Sequence, residues 1–269
     1  MNRYLKINKY FSIILVILLV SVLIVPTSSS FTRDQEPIKL NTEFKLAFLS
    51  TPAYYCMEVS SIPLSNKRYN GDSYTSEINS YANLNDTEFK AFARKRIASL
   101  IQLEKTENRN FIWNKEFLED SIRPLFPMIY SEIINNNNHR KITISGKVSS
   151  ITLSGGEYHT QTNLIVYPKT LLGIELAEFD CRIYWSWNST EILSVLPSTW
   201  GEVYAPGWNY KGIVSNTQYF YNNHRNFRKI VKGEFTYTYP ISHLVRYYYP
   251  TLDITLYLGG DVMVHNYGW

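Results

Sequence analysis

Signatures of catalysis are missing from this chain of 269 residues. The five histidines, His139, His159, His224, His243 and His265, stand singly, with no H-E-x-x-H and no second ligand at helical or strand spacing, so metal chemistry has no support. A G-x-S-x-G elbow, a phosphate-cradling glycine loop and G-x-G-x-x-G are all absent, which removes the main signals for a serine hydrolase, a nucleotide enzyme or a dinucleotide enzyme. No metal and no cofactor is expected.

An excess of positive charge is also missing once the start of the chain is set aside. The whole chain has 27 Lys and Arg against 23 Asp and Glu, but Arg3, Lys6 and Lys9 fall in the first thirty residues, which hold no acid. The remainder is close to neutral, which argues against a nucleic-acid partner. The clusters Arg94-Lys95-Arg96 and Arg225 to Lys229 read as solvated faces of a helix and a loop.

Cysteine is scarce: only Cys56 and Cys181 are present. They are too far apart in sequence to form a zinc site by themselves. In an oxidising exterior one disulfide is the natural expectation, closing a loop worth about 5 kcal/mol in the chain-entropy account, with two buried free thiols as the alternative.

The chain does have an export pattern. Basic residues precede an apolar run from Phe11 to Val25, which is shorter than the roughly 20 residues that span a bilayer, and Pro26 to Ser30 follow as a small polar stretch. Residues 1–30 are read as a cleaved signal peptide, or alternatively as a signal anchor, and both place the rest outside the membrane. The protein is therefore expected to be secreted, or membrane-anchored facing outward, touching the membrane only through this segment.

The rest has a globular composition, with 15% aromatic residues and 22 tyrosines. Residues 31–138 read as a mainly helical N-terminal region. Phe44 to Leu49 and Ala53 to Val59 suggest short strands, and Ser60 to Ser80 a loop. Asp86 and Glu88 open a helix whose apolar positions, Phe89, Phe92, Ala93, Ile97, Leu100 and Ile101, recur at helical spacing. A second helix starts at Asn114, must stop or kink at Pro124 and Pro127, and ends in Asn135 to Asn138.

Residues 139–269 change to a period of two. Phe179, Cys181, Ile183, Trp185 and Trp187 share one strand face, and Phe235, Tyr237 and Tyr239 alternate with threonines, as do Leu252, Ile254, Leu256 and Leu258 with polar residues. The expected class is α+β: a mainly helical N-terminal region followed by an antiparallel β-sandwich, Ig-like or related.

Trp200, Tyr204, Trp208 and Tyr210 lie among prolines and glycines, in chain read as irregular. Flat rings on loops suit stacking on sugars or anchoring a protein interface, so these four are the candidate ligand contacts, with an extracellular glycan or protein as partner. Glu175, Glu178 and Asp180 cluster before the Trp-rich strand. A glycosidase needs two carboxylates astride a bond, but acids at a strand start are read first as solvated. Asn85-Asp86-Thr87 and Asn188-Ser189-Thr190 fit the N-glycan acceptor pattern.

Trp185-Ser186-Trp187-Asn188, Gly207-Trp208-Asn209-Tyr210-Lys211-Gly212-Ile213 and Lys232-Gly233-Glu234-Phe235 together resemble a loose pattern in uncharacterised secreted β-rich proteins of Gram-positive bacteria. Asn188-Ser189 stands where those proteins tend to show Asp-Gly. The resemblance implies export and an all-β C-terminal half, and no activity. The expected role is a noncatalytic binding or envelope protein, with an extracellular hydrolase acting on cell-wall or extracellular polymer as the alternative.

Overall fold

The computed structural model describes residues 40–60, 71–106, 111–137, 144–147, 151–152, 156–239 and 244–269. The expected leader lies outside the described residues. Among those described, no helix is long and apolar enough to cross a membrane.

Among the described residues, five helices and twelve strands build an α+β structure. Helix α1, Thr42–Ser50, replaces the strand expected there. Asn41 caps it by accepting from the Phe44 amide at 2.7 Å. Phe44, Leu46 and Phe48 imitate a period of two, but the residue between them, Lys45, is itself buried and reaches Asp86 Oδ1 at 2.9 Å and the Leu84 carbonyl at 2.6 Å. Strand β1, Tyr54–Ser60, falls where expected.

Helix α2, Gly71–Ala82, occupies part of the expected loop. Its buried residues Tyr74, Ile78 and Ala82 keep a spacing of four, a stripe diluted by serine and asparagine. Helix α3, Asp86–Thr106, starts at the expected place, with Asn85 and Glu88 bonding each other's amides at 3.0 and 3.2 Å. Of its basic cluster, Arg96 is tied down, donating to the carbonyls of Leu171 and Leu172 at 2.9 and 3.0 Å.

Strand β2, Phe111–Trp113, leads into α4. That helix runs through Lys115–Phe117, a π-helical stretch Leu118–Ile122 and Arg123–Leu125. Phe126 leaves helical geometry before Pro127, where α5, Pro127–Asn137, begins.

The remaining strands are β3 Ile144–Lys147, β4 Ile151–Thr152, β5 Tyr158–Lys169, β6 Ala177–Trp187, β7 Ile192–Val203, β8 Trp208–Tyr221, β9 Asn226–Thr238, β10 Val245–Tyr248, β11 Thr251–Tyr257 and β12 Asp261–Gly268. They form two antiparallel sheets. The first runs β2-β1-β5-β6-β7, with β4 also on β5. In the second, β9 carries β8 along one edge and β10 and β11 end to end along the other, and β12 and β3 follow beyond β11.

β1 pairs with β5 over seven residues, so the stretches before and after Asn138 are built around a shared core, within one compact unit, Lys39–Trp269. The apolar faces of the two sheets meet in that core. Phe179 of β6 and Phe235 of β9 cross edge to face at 6.4 Å. Burying one such ring contributes about 1.5–3 kcal/mol.

The segment read as irregular is instead two long strands, β7 and β8, joined by a turn at Ala205 to Gly207. Pro197 lies inside β7, where β6 is its only strand partner, so its missing amide hydrogen leaves no ladder bond unmade. The basic run Arg225 to Lys229 is mostly strand β9, and Lys229 is 1% exposed, donating to Asn216 Oδ1 at 2.7 Å.

The disulfide is not formed, and both cysteines are free. Cys56 on β1 lies opposite Tyr167 of β5, whereas Cys181 on β6 lies opposite Leu164. β5 therefore separates the two thiols. Positions 164 and 167 also face opposite sides of the sheet. Two strand spacings of about 4.8 Å exceed the roughly 7 Å limit between bridged Cα atoms.

Candidate functional site

The outer face of the first sheet collects unusual polar chemistry. On β6 the odd positions 177 to 187 are all buried toward the other sheet, which leaves Glu178, Asp180, Arg182, Tyr184 and Ser186 on the far side. Register fills in the neighbours on that side. Glu178 lies opposite Glu202 of β7, Asp180 between Ile165 of β5 and Trp200 of β7, and Arg182 between Asn163 and Ser198. Glu58 of β1 lies opposite Ile165, on the same face.

The acids expected to be solvated are not. Glu178 is 7% and Asp180 6% exposed. Glu178 Oε1 and Asp180 Oδ1 are buried with no hydrogen-bond partner. Two buried carboxyls on one strand face resist ionising together. Burial is the main cause that raises both above the ordinary carboxylate range. For Asp180 the charges of Glu178 and Glu202 add to it, and Arg182 opposes it. For Glu178 the Tyr204 hydroxyl acts against burial, and the charges of Glu202 and Glu175 act with it.

Arg182 organises the other side. Its guanidinium lies 5.0 Å from the centre of the Trp200 ring, and its Nε donates to Asn163 Oδ1 at 3.2 Å. Gln161 Nε2 donates to the same oxygen, and Asn163 Nδ2 donates to the Ser60 carbonyl at 3.3 Å. Tyr167 donates to Glu58 on the same face. A cavity of about 240 Å³ opens here, lined by side chains of Asn163, Ile165, Asp180, Arg182, Trp200 and Glu202.

The four candidate aromatic contacts divide. Trp200 lines this cavity and is half-buried, and Tyr204, half-buried as well, follows β7 two residues after Glu202 without lining it. Trp208 and Tyr210 belong to the core. Trp208 is 6% exposed, stacked on Tyr237 at 5.4 Å and Tyr248 at 5.0 Å, and Tyr210 packs on Phe235 at 4.8 Å. Trp185 and Trp187 are core as expected, and Trp185 Nε1 donates to Thr162 at 3.1 Å.

Other sequence candidates find local roles. Glu175 pairs with Lys169 at 3.2 Å, and Ser186 Oγ shares a hydrogen bond with Ser194 Oγ at 2.9 Å. Asn188 Oδ1 accepts from Thr190 and Glu191, a turn built on its own side chain. Cys181 accepts from Thr199 at 3.6 Å, and burial pushes its thiol up to about 11, which makes it unreactive. Among the described residues no group of three or more His, Cys, Asp or Glu could hold a metal ion.

The site residues not singled out from sequence are Arg182, Asn163 and Glu202. The alternation that put Phe179 and Cys181 inside also put Arg182 beside Asp180, but Glu202 and Asn163 reach them only through strand pairing. No family model, no curated protein and no solved structure matches this chain.

Proposed function

We propose that this protein is exported, folds as an Ig-like or related β-sandwich with helices packed at its side, and binds a glycan noncatalytically through the outer face of the first sheet. One observation carries the reading. Half-buried Trp200 stands opposite Asp180 and beside Arg182, at a cavity lined mostly by polar side chains. A flat ring offers a platform for the apolar face of a sugar, and carboxylate, guanidinium and carboxamide groups offer partners to its hydroxyls. Export rests on the basic and apolar start of the chain and on the resemblance to secreted β-rich proteins. A protein ligand fits less well, because the cavity is small and concave.

A hydrolase acting on cell-wall or extracellular polymer is the second reading, favoured by the buried neighbouring carboxyls Glu178 and Asp180, whose burial raises both above the ordinary carboxylate range. A carboxyl that keeps its proton at neutral pH can act as a general acid. Retention on immobilised polysaccharide tests the first reading. Trp200→Ala is expected to abolish retention with the melting temperature unchanged, and unchanged retention would refute it. Release of reducing ends that is lost in Asp180→Asn would establish the second reading instead.

A further inference from the structure

A second cavity shares no lining residue with the first and differs from it in chemistry. It has a volume of about 320 Å³ and is enclosed by α1, α2, the turn at Pro206 and the end of β9. Its floor is made by Ser50, Tyr74, Ile78 and Tyr237, all buried. Leu46, Ala47 and Tyr239 form half-buried walls, and Glu43, Thr75, Asn79 and Pro206 are exposed at the mouth.

We infer that this cavity is a binding site for one small neutral molecule bearing an aromatic or alicyclic ring. Its size suits a compact ligand, at the lower end of the range of about 300–1,000 Å³ typical of ligand pockets. Its walls suit a ring. Tyr237 and Tyr239 stand edge to face at 4.8 Å and present perpendicular aromatic surfaces, and Leu46 and Ile78 complete an apolar lining.

The polar groups argue for neutrality. On the floor, Ser50 Oγ donates its one proton to the Leu46 carbonyl at 2.7 Å and has none left for an anion. The floor carries no charged residue, so an ionic headgroup seated there would lose its hydration without a partner of opposite charge. Glu43 is the only charged residue of the lining, and it stands at the mouth, where it disfavours an anion.

The probe is N-phenyl-1-naphthylamine, a neutral fluorophore that brightens in apolar surroundings, titrated into the full chain. Saturable one-site brightening is expected, with a melting temperature that rises with probe concentration. Thr75→Phe places a ring across the mouth from an exposed position and is expected to weaken binding at least tenfold. Ala47→Phe, on the wall, should do the same, and either folded variant suffices for the comparison. Trp200→Ala should leave the titration unchanged, which keeps this site distinct from the acidic face. Absence of saturable brightening in the folded protein, or affinity unchanged in whichever of the two variants folds, would overturn the assignment.

Discussion

Phe235 of β9 rests against Gly201 of β7, so closely that a Cβ built on that glycine would lie 2.5 Å from the phenyl Cζ. The contact has a counterpart. Phe179, opposite Gly201 in the first sheet, covers Gly233 in the second, where a Cβ would lie 2.7 Å from its ring. Each sheet omits a side chain where the other inserts a ring, and the reciprocal pair sets how closely the sheets approach.

Gly201→Ala is expected to destabilise the fold by about 1–3 kcal/mol, the usual cost of overpacking a filled core. Gly156→Ala is a poor control because φ is +77° there, but Gly268→Ala meets open space and should be near neutral. Urea unfolding of the two variants checks the contrast.

Trp208 and Trp200 should respond in opposite ways. Truncating buried Trp208 to alanine removes a ring stacked on two tyrosines and is expected to cost about 3–5 kcal/mol. Trp200→Ala should leave the melting temperature almost unchanged and affect only retention on polysaccharide. Thermal melts and retention measured on the same preparations separate the two roles.

The carboxyl pair gives the fold a pH dependence of definite sign. Asp180 is raised from 3.8 to about 8 when folded, chiefly by burial. Between those values the folded state keeps a proton that the unfolded chain has released, so stability is fully present below about pH 4 for this group and declines toward pH 8. Glu178, Glu202, Tyr204 and Glu58 act in the same region, and Arg182 opposes them. Asp180→Asn keeps a donor toward Glu178 without a titrating proton, so its melting temperature should vary less across that window and exceed the parent's at pH 8. Melts from pH 4.5 to 8.5 measure this.

Thiol titration checks the separation of the cysteines. Without reductant, two thiols are expected in denaturant. In the folded protein Cys181 should stay unreactive, being buried with its thiol at about 11, while half-buried Cys56 reacts slowly. A chain with no free thiol after unfolding would contradict the register that places them on opposite faces.

Where one periodicity ran without interruption, the sequence was readable. The β6 face from Phe179 to Trp187 and the α3 stripe from Phe89 to Ile101 are both buried as their spacing requires. The failures have local causes. Pro197 and glycines 201, 207 and 212 looked like loop punctuation, although an edge position tolerates the proline, and the glycines make room for Phe235, a turn and a bulge. A buried, paired Lys45 hid α1, and serines and asparagines thinned the α2 stripe. The acidic face was half visible. Glu178 and Asp180 were noticed as a cluster, but their partners in register, Glu202 and Trp200, arrive from a neighbouring strand, which alternation within one strand does not reveal.

The pairing of β1 with β5 also governs how the chain comes together. Tyr54 must find Lys169, more than a hundred residues later, and Ser60 must find Asn163. Such distant pairings are entropically slow to close. A chain emerging from the ribosome can pair Tyr54 to Cys56 with β2 early, but it leaves the other edge of β1 open until β5 has been made, an interval in which a transport machine or chaperone can hold it and in which its apolar side chains are open to aggregation.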